Sequence, residues 1–259
     1  MDVVIERDRT AARRAVGGAV GALLLGGMLA AQVVSGTHPA PVRLTGVVVL
    51  LLAGSAVAFA AAERGAGRAA AAFGVAAGAG YAAEWIGVRT GVPFGEYRYT
   101  GVLWPAPGDV PLVVAVAWGG MGLAAHAVAT RVVRSGRFLP TAVTGAFALT
   151  AWDLFLDPQM LRLGLWEWAD PGPYRGVPLS NLAGWLVVSF LVMALIGGVF
   201  RRGPAGEGTG LAALYTAMAV METIGFAAVF DPPDILVAAV GGAAMGLFAV
   251  LGWVRRRRR

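Results

Sequence analysis

The chain has 259 residues, 58% of them hydrophobic and 14% charged, with a mean hydropathy of +0.70. A soluble domain carries about a quarter charged residues, so the chain reads as one integral membrane domain over residues 1–259. The absence of Cys excludes disulfides, iron–sulfur clusters and thiolate zinc sites, and the net charge of +6 is no sign of nucleic acid, because the Arg residues stand at the ends of apolar runs and form no basic face with interleaved aromatics.

Apolar stretches near the ~20 residues that cross a bilayer fall at 15–34, 42–62, 69–88, 111–133, 140–157, 180–200, 208–229 and 234–254. They predict an all-α polytopic transmembrane helical bundle of eight spans, or seven if one does not cross. The first follows Arg13 and Arg14 and alone would pass for a signal peptide; its length and the spans behind it favour a retained helix. The fifth is short, with an end that could extend through Asp157 and Pro158. Pairs of Gly four residues apart (Gly17/Gly21, Gly74/Gly78, Gly242/Gly246) allow helices to approach closely in lipid.

All 21 basic residues are Arg, and their placement sets the expected orientation. With the N-terminus in the cytoplasm, sixteen Arg flank the inner side, including Arg64, Arg68, Arg131, Arg134, Arg202 and the terminal Arg255 to Arg259. Five (Arg43, Arg89, Arg98, Arg162, Arg175) flank the outer side. The positive-inside rule then predicts a multi-pass protein of the cell membrane with both termini cytoplasmic, and the terminal Arg run would face anionic membrane lipid.

Two loops, 89–110 and 158–179, share the outer side in this topology. Both are dense in aromatics, Gly and Pro, which predicts structured turns with rings at the interface. They read either as an aromatic belt or as a lid over a site. Each follows an acidic helix and holds an aromatic–Glu–aromatic turn, Glu84 preceding Glu96 as Asp153 precedes Glu167; the match is too thin to establish a repeat.

Carboxylates inside membrane-length helices are costly, by roughly 2.5–3.5 kcal/mol on insertion scales, and these are expected at one depth. Glu84, Asp153, Asp157 and Glu222 lie in the outer parts of their spans. Asn181 opens the sixth span from the same side. Each has a bland alternative except Asp153 and Glu222, whose neighbours are apolar: Glu84 could pair with Arg89, Asp157-Pro158 and Asp231-Pro232 are helix-ending patterns, and Ser180-Asn181 resembles a helix start. His126 is expected nearer the inner face as a helix–helix partner, and His38 in a solvated outer turn. No phosphate loop, dinucleotide fingerprint or nucleophile elbow is present, and so few His leave no transition-metal site; no metal and no cofactor are expected.

A desolvated carboxyl can act as a proton donor, and aromatic faces stabilise a developing cation. That combination suits acid-initiated chemistry on an isoprenoid double bond. At these residues the chain resembles a known family. Glu84-Trp85-Ile86-Gly87, Thr90-Gly91-Val92-Pro93-Phe94-Gly95, Tyr97-Arg98-Tyr99-Thr100 and Trp152-Asp153-Leu154-Phe155-Leu156-Asp157-Pro158 look like the signatures of the bacterial and archaeal carotenoid hydratases. Gly164-Leu165-Trp166-Glu167-Trp168, Tyr174-Arg175-Gly176-Val177-Pro178 and Asn181-Leu182-Ala183-Gly184-Trp185 extend the resemblance, which is strongest over 75–235. It implies addition of water to the terminal double bond of an acyclic carotenoid, giving a tertiary alcohol, with other enzymes of the same pathway as partners.

The expected mechanism takes Asp153 as proton donor and sets the cation against Trp152, Trp166 or Trp168. Glu84, or else Glu222, activates the water, and Asp157 is the remaining candidate catalytic carboxylate. Trp85, Tyr97, Arg98, Glu167, Tyr174 and Asn181 are the remaining expected substrate-binding residues. The competing readings are isomerisation or cyclisation of the same end group, a non-catalytic carotenoid- or lipid-binding protein, and a proton-coupled transporter.

Overall fold

In lipid every backbone polar group has to be satisfied within the segment that crosses, and the apolar runs comply by forming helices. The computed structural model describes residues 2–37, 42–133, 137–201 and 206–254; His38, Arg134, Arg202 and Arg255 to Arg259 lie outside them. Among the described residues the helices are α1 (Asp2–Thr37), α2 (Val42–Arg64), α3 (Ala66–Thr90), α4 (Leu112–Val133), α5 (Phe138–Arg162), α6 (Leu179–Phe200), α7 (Thr209–Ile224) and α8 (Ile235–Val254). α7 continues into a π-helical turn over Gly225–Val229. Seven of the eight are long and apolar enough to cross a membrane, so the chain is a multi-pass membrane protein with an all-α helical bundle. The exception is α3, which at 25 residues has the length to cross but is diluted by Ala, Gly, Arg68, Glu84 and Arg89.

The bundle is built around α4, which packs against α2, α3, α5, α6, α7 and α8 and is 78% buried along its span. At the other extreme, α1 is 11% buried; it leans on α2 and touches α7 and the π-helical turn at one end. Of the paired glycines, Gly17 and Gly21 sit against Ala62 and Phe59 and let α1 close onto α2. Gly242 faces Thr223, whereas Gly74, Gly78 and Gly246 face open space. Spacing alone did not separate these cases.

The two long loops meet at one end of the bundle. β1 (Tyr97–Tyr99) and β2 (Trp166–Trp168) pair antiparallel, Tyr97 opposite Trp168, Arg98 opposite Glu167 and Tyr99 opposite Trp166. The aromatic–charged–aromatic triplets of the two loops are thus strand partners, and the register aligns Arg98, not Glu96, with Glu167. Alternation along a strand leaves Arg98 and Glu167 exposed as an ion pair of 2.6 Å, with the four rings turned to the bundle.

The fifth span does not stop at Asp157-Pro158: α5 runs a further turn to Arg162, with Pro158 inside it. A proline in a helix withdraws the N–H that would bond the carbonyl four residues back, here that of Leu154. The Tyr174 hydroxyl supplies the replacement, donating to Leu154 O at 2.8 Å. Burial, and then the charge of Asp234, push the Tyr174 phenol up to about 12, so it stays a donor. Its neighbour Arg175 grips Asp234 through two contacts of 2.6 and 2.9 Å. Partial burial disfavours the Asp234 carboxylate, but those bonds and the Val237 N–H outweigh it and hold the group below the usual carboxylate range. Asp234, not Asp231, therefore caps α8, through the Val237 N–H at 3.1 Å.

Because the Leu154 carbonyl has no helical donor, Tyr174→Phe is expected to leave it unsatisfied, at a cost of about 1–3 kcal/mol. In detergent the melting temperature should fall by several degrees while activity per folded molecule is kept. An unchanged melting temperature would show that the carbonyl is satisfied in some other way.

Candidate functional site

The buried carboxylates lie at one end of the bundle, the end that carries the sheet. Glu84 stands six residues from the end of α3, Asp153 and Asp157 in the second half of α5, Asn181 in the first turn of α6, and Glu222 three residues before the π-helical turn. Asp153, Asp157 and Asn181 are at most 1% exposed, Glu84 5% and Glu222 7%.

Glu84 is met by donors from two other elements. Its Oε2 accepts from the hydroxyls of Tyr97 at 2.5 Å and Tyr99 at 2.9 Å, and its Oε1 accepts from Trp118 Nε1 on α4 at 3.1 Å. Burial, and then the facing Glu84 charge, raise both phenols well above their usual range, so they remain protonated donors. The expected pair with Arg89 does not form. Five residues along a helix are about 140° apart, and Arg89 instead lies over the Trp85 ring at 4.1 Å and reaches Asp109 and Gly108 O. Trp85 goes with it, 43% exposed and turned away from the site.

Asp153 and Asp157 stand one turn apart on the same face of α5. Both accept from Asn181 Nδ2, Asp153 at 3.1 Å. Asn181 therefore starts no helix with its side chain and Asp157 ends none; together they stitch α5 to α6. Asp153 Oδ1 is buried with no partner among the described residues.

Between these groups lies a cavity of about 260 Å³ with mainly apolar walls. Glu84 and Glu222 line it, with the rings of Trp118, Trp152, Trp166 and Trp185. Trp118 stacks on Trp185 at 4.1 Å between centroids and 16° between planes, and Trp152 meets Trp185 edge-on at 6.1 Å. Trp118 can sit there because position 80 is Gly; a Cβ would fall 2.2 Å from the indole. Glu222 differs from Glu84 in having no hydrogen-bond donor facing it among the described residues. Asp153 and Asp157, on the neighbouring face of α5, and Asn181, on α6, do not line the cavity.

A second cavity, polar and of about 480 Å³, opens on the far side of the sheet and is lined by Arg89, Glu96, Tyr97, Arg98, Glu167 and Trp168. Tyr97 lines this vestibule and bonds Glu84, which lines the apolar cavity. One side chain separates the two. Trp168 meets Tyr97 at a tilt, 5.1 Å between centroids, and Trp166 meets Tyr99 edge-on at 5.7 Å.

Sequence reasoning missed Trp118, Tyr99, Trp185 and Gln32 as parts of this site. Trp118 carried a signal, being the one Trp inside the fourth span, and so did Gln32, a polar side chain in the first span that lines the cavity with a buried Oε1 lacking a partner among the described residues. His126 is remote from the site and rests edge-on against Phe200. Among the described residues no cluster of three or more His, Cys, Asp or Glu is disposed to hold a metal.

No curated protein and no solved structure matches the chain. The sequence profile of a carotenoid biosynthesis protein does, over residues 45–249, a span from α2 into α8 that takes in every carboxylate and ring described above. The chain belongs to the carotenoid biosynthesis protein family.

Proposed function

We propose that the protein is a carotenoid hydratase, adding water across the terminal C=C of an acyclic carotenoid end group to give a tertiary alcohol. The observation that carries this reading is an apolar cavity, walled by tryptophan rings, onto which two carboxyl groups in unlike surroundings converge. At about 260 Å³ it is smaller than the roughly 300–1,000 Å³ of pockets that engulf whole ligands. An isoprenoid end group fits; the rest of the molecule stays outside.

Three donors on Glu84 suit its ionised form, which makes it the base that orients and deprotonates water. Glu222, which no donor faces, is the proton donor. The proton passes from Glu222 to the less substituted alkene carbon, leaving a tertiary cation against the indole faces. Water attacks the cation and gives its proton to Glu84, so that one water is added. The proton on Glu84 returns to Glu222 through solvent before the next turnover. Asp153, the proton donor expected from sequence, becomes a positioning residue in this reading: with Asp157 and Asn181 it fixes the face of α5 that presents Trp152. The polar vestibule one side chain from Glu84 favours hydration over cyclisation or isomerisation, since the same cation would otherwise lose a proton or close a ring. The sheet would then lie on the outer side of the cell membrane, with both termini in the cytoplasm.

Expression in a host that accumulates an acyclic carotenoid, with the pigments analysed by mass, is expected to yield a product heavier by one water per end acted on. A new pigment of unchanged mass would instead establish an isomerase or cyclase.

Glu222→Gln and Glu84→Gln are each expected to lower hydrated product by about 10²-fold or more, the usual scale of general acid–base catalysis, and Asp153→Asn by less. Loss of activity in Asp153→Asn with retention in Glu222→Gln would return the role of acid to Asp153.

Tyr97→Phe removes the hydroxyl between vestibule and carboxylate. The fraction of converted pigment that carries added water should fall relative to isomerised pigment; an unchanged fraction would place the water route elsewhere.

A further inference from the structure

A cavity that holds only an end group needs an opening for the chain attached to it, and the wall residues show where that opening is. Nearly all of them are buried or half-buried. The exposed ones are Val33 and Gly36 on α1, Ile224 at the end of α7, and Val229 in the π-helical turn. All four lie on one seam, where α1 passes the turn. The sheet and the vestibule are at another boundary of the cavity, beyond Glu84 and Trp166.

The seam has the chemistry of lipid. Val33, Ile224 and Val229 are 58, 48 and 42% exposed on helices of membrane-crossing length and hydropathy. It is also loosely held: α1, the least buried span, meets the π-helical turn near its end, where Gly36 lies against Val229. A π-helical turn widens a helix locally and interrupts its regular bonding, and this one begins three residues after Glu222.

We infer that the α1–π-turn seam is a lateral subsite for the linear, apolar polyene segment next to the reacting end group, through which the carotenoid enters from the lipid end first. This deepens the hydratase reading and rests on it for the identity of the reacting end. Glu222 stands just inside the seam, Glu84 toward the vestibule, so the alkene arrives past the proton donor and meets water beyond it.

The chain contains no Cys, and an ideal Cβ on residue 36 lies 3.9 Å from the Val229 Cβ, within the 3.5–4.5 Å of disulfides. The full-length Gly36→Cys/Val229→Cys variant, reconstituted in phospholipid vesicles containing lycopene, is compared oxidised and reduced. Two quantities are read: pigment that stays with the repurified protein, and hydrated product. Oxidation is expected to lower both at least tenfold, with recovery on reduction of the same sample and no response in either single-Cys variant. Val229→Ala, which widens the seam without a crosslink, should take up pigment faster than wild type. Equal uptake by the oxidised and reduced forms, no acceleration in Val229→Ala, or no pigment uptake by wild type would each overturn the subsite. A lock that blocks uptake in a protein that adds no water would uphold the subsite and sink the hydratase reading.

Discussion

The structure depends on one constraint: a carboxyl group placed in the interior of a membrane bundle has to find its partners inside the protein. Glu84 finds three, and they come from elements that share no sequence neighbourhood, β1 through Tyr97 and Tyr99 and α4 through Trp118. The sheet is thereby hung from α3. Asp153 and Asp157 do the same between α5 and α6 through Asn181. Apolar side chains cannot fix helix register in lipid, because lipid tails offer them an equally apolar alternative. The polar contacts can, since moving a helix by one turn would leave a buried carboxyl group unmet. The groups that hold the bundle in register are therefore the groups that shape the cavity.

That economy divides the carboxylates into two kinds. Those bonded by neighbours (Asp157, Asp153 through one of its two oxygens, and in large part Glu84) are held in place, and what they hold in turn are rings: Trp118 hydrogen-bonds Glu84, stacks on Trp185 and through it meets Trp152. Glu222 is the other kind, buried to 7% exposure and met by nothing among the described residues. A buried polar group left without partners is destabilising, so its retention beside an apolar cavity calls for a role in what the cavity receives. In the proposed chemistry an unencumbered carboxyl is what a proton donor to an alkene requires, because a competing hydrogen bond would have to be broken first.

The spans were legible because crossing a bilayer imposes a run length that composition displays directly, and α1 to α8 lie where the runs predicted. The common depth of Glu84, Asp153, Glu222 and Asn181 was legible for the same reason. What spacing could not show was which side of a helix a residue takes. Glu84 and Arg89 looked like partners along the chain yet point apart, and Trp85, adjacent to Glu84, left with Arg89, while Trp118, 34 positions away, came in. Whether the fifth span ended at Asp157-Pro158 or ran through it was left open, because the rule that a proline ends a helix assumes that nothing satisfies the orphaned carbonyl; Tyr174 does, from a loop that begins beyond the helix. The pairing of the two loops was half visible: the loops looked alike through Glu96 and Glu167, but the sheet sets Arg98 opposite Glu167 and pairs Tyr97 with Trp168 and Tyr99 with Trp166.

Hydrating an isoprenoid end inside a membrane asks for two reactants that avoid each other's solvent. A site at mid-bilayer would be starved of water, and one at the surface would have to pull the alkene out of lipid. The cavity described here lies between two unlike surroundings. On one side it reaches an apolar seam between α1 and the π-helical turn, and on the other it is divided by Tyr97 from a polar vestibule lined by Arg89, Glu96, Arg98 and Glu167. In the proposed reaction the boundary between the two solvents is where the reactants would meet, and Glu84, bonded to Tyr97 on the vestibule side and lining the cavity on the other, stands at that boundary. On the proposed assignment a base there would meet water first, while an acid at Glu222 would meet the substrate first. The order in which the two reactants reach the two carboxyl groups follows from where the helices put the openings.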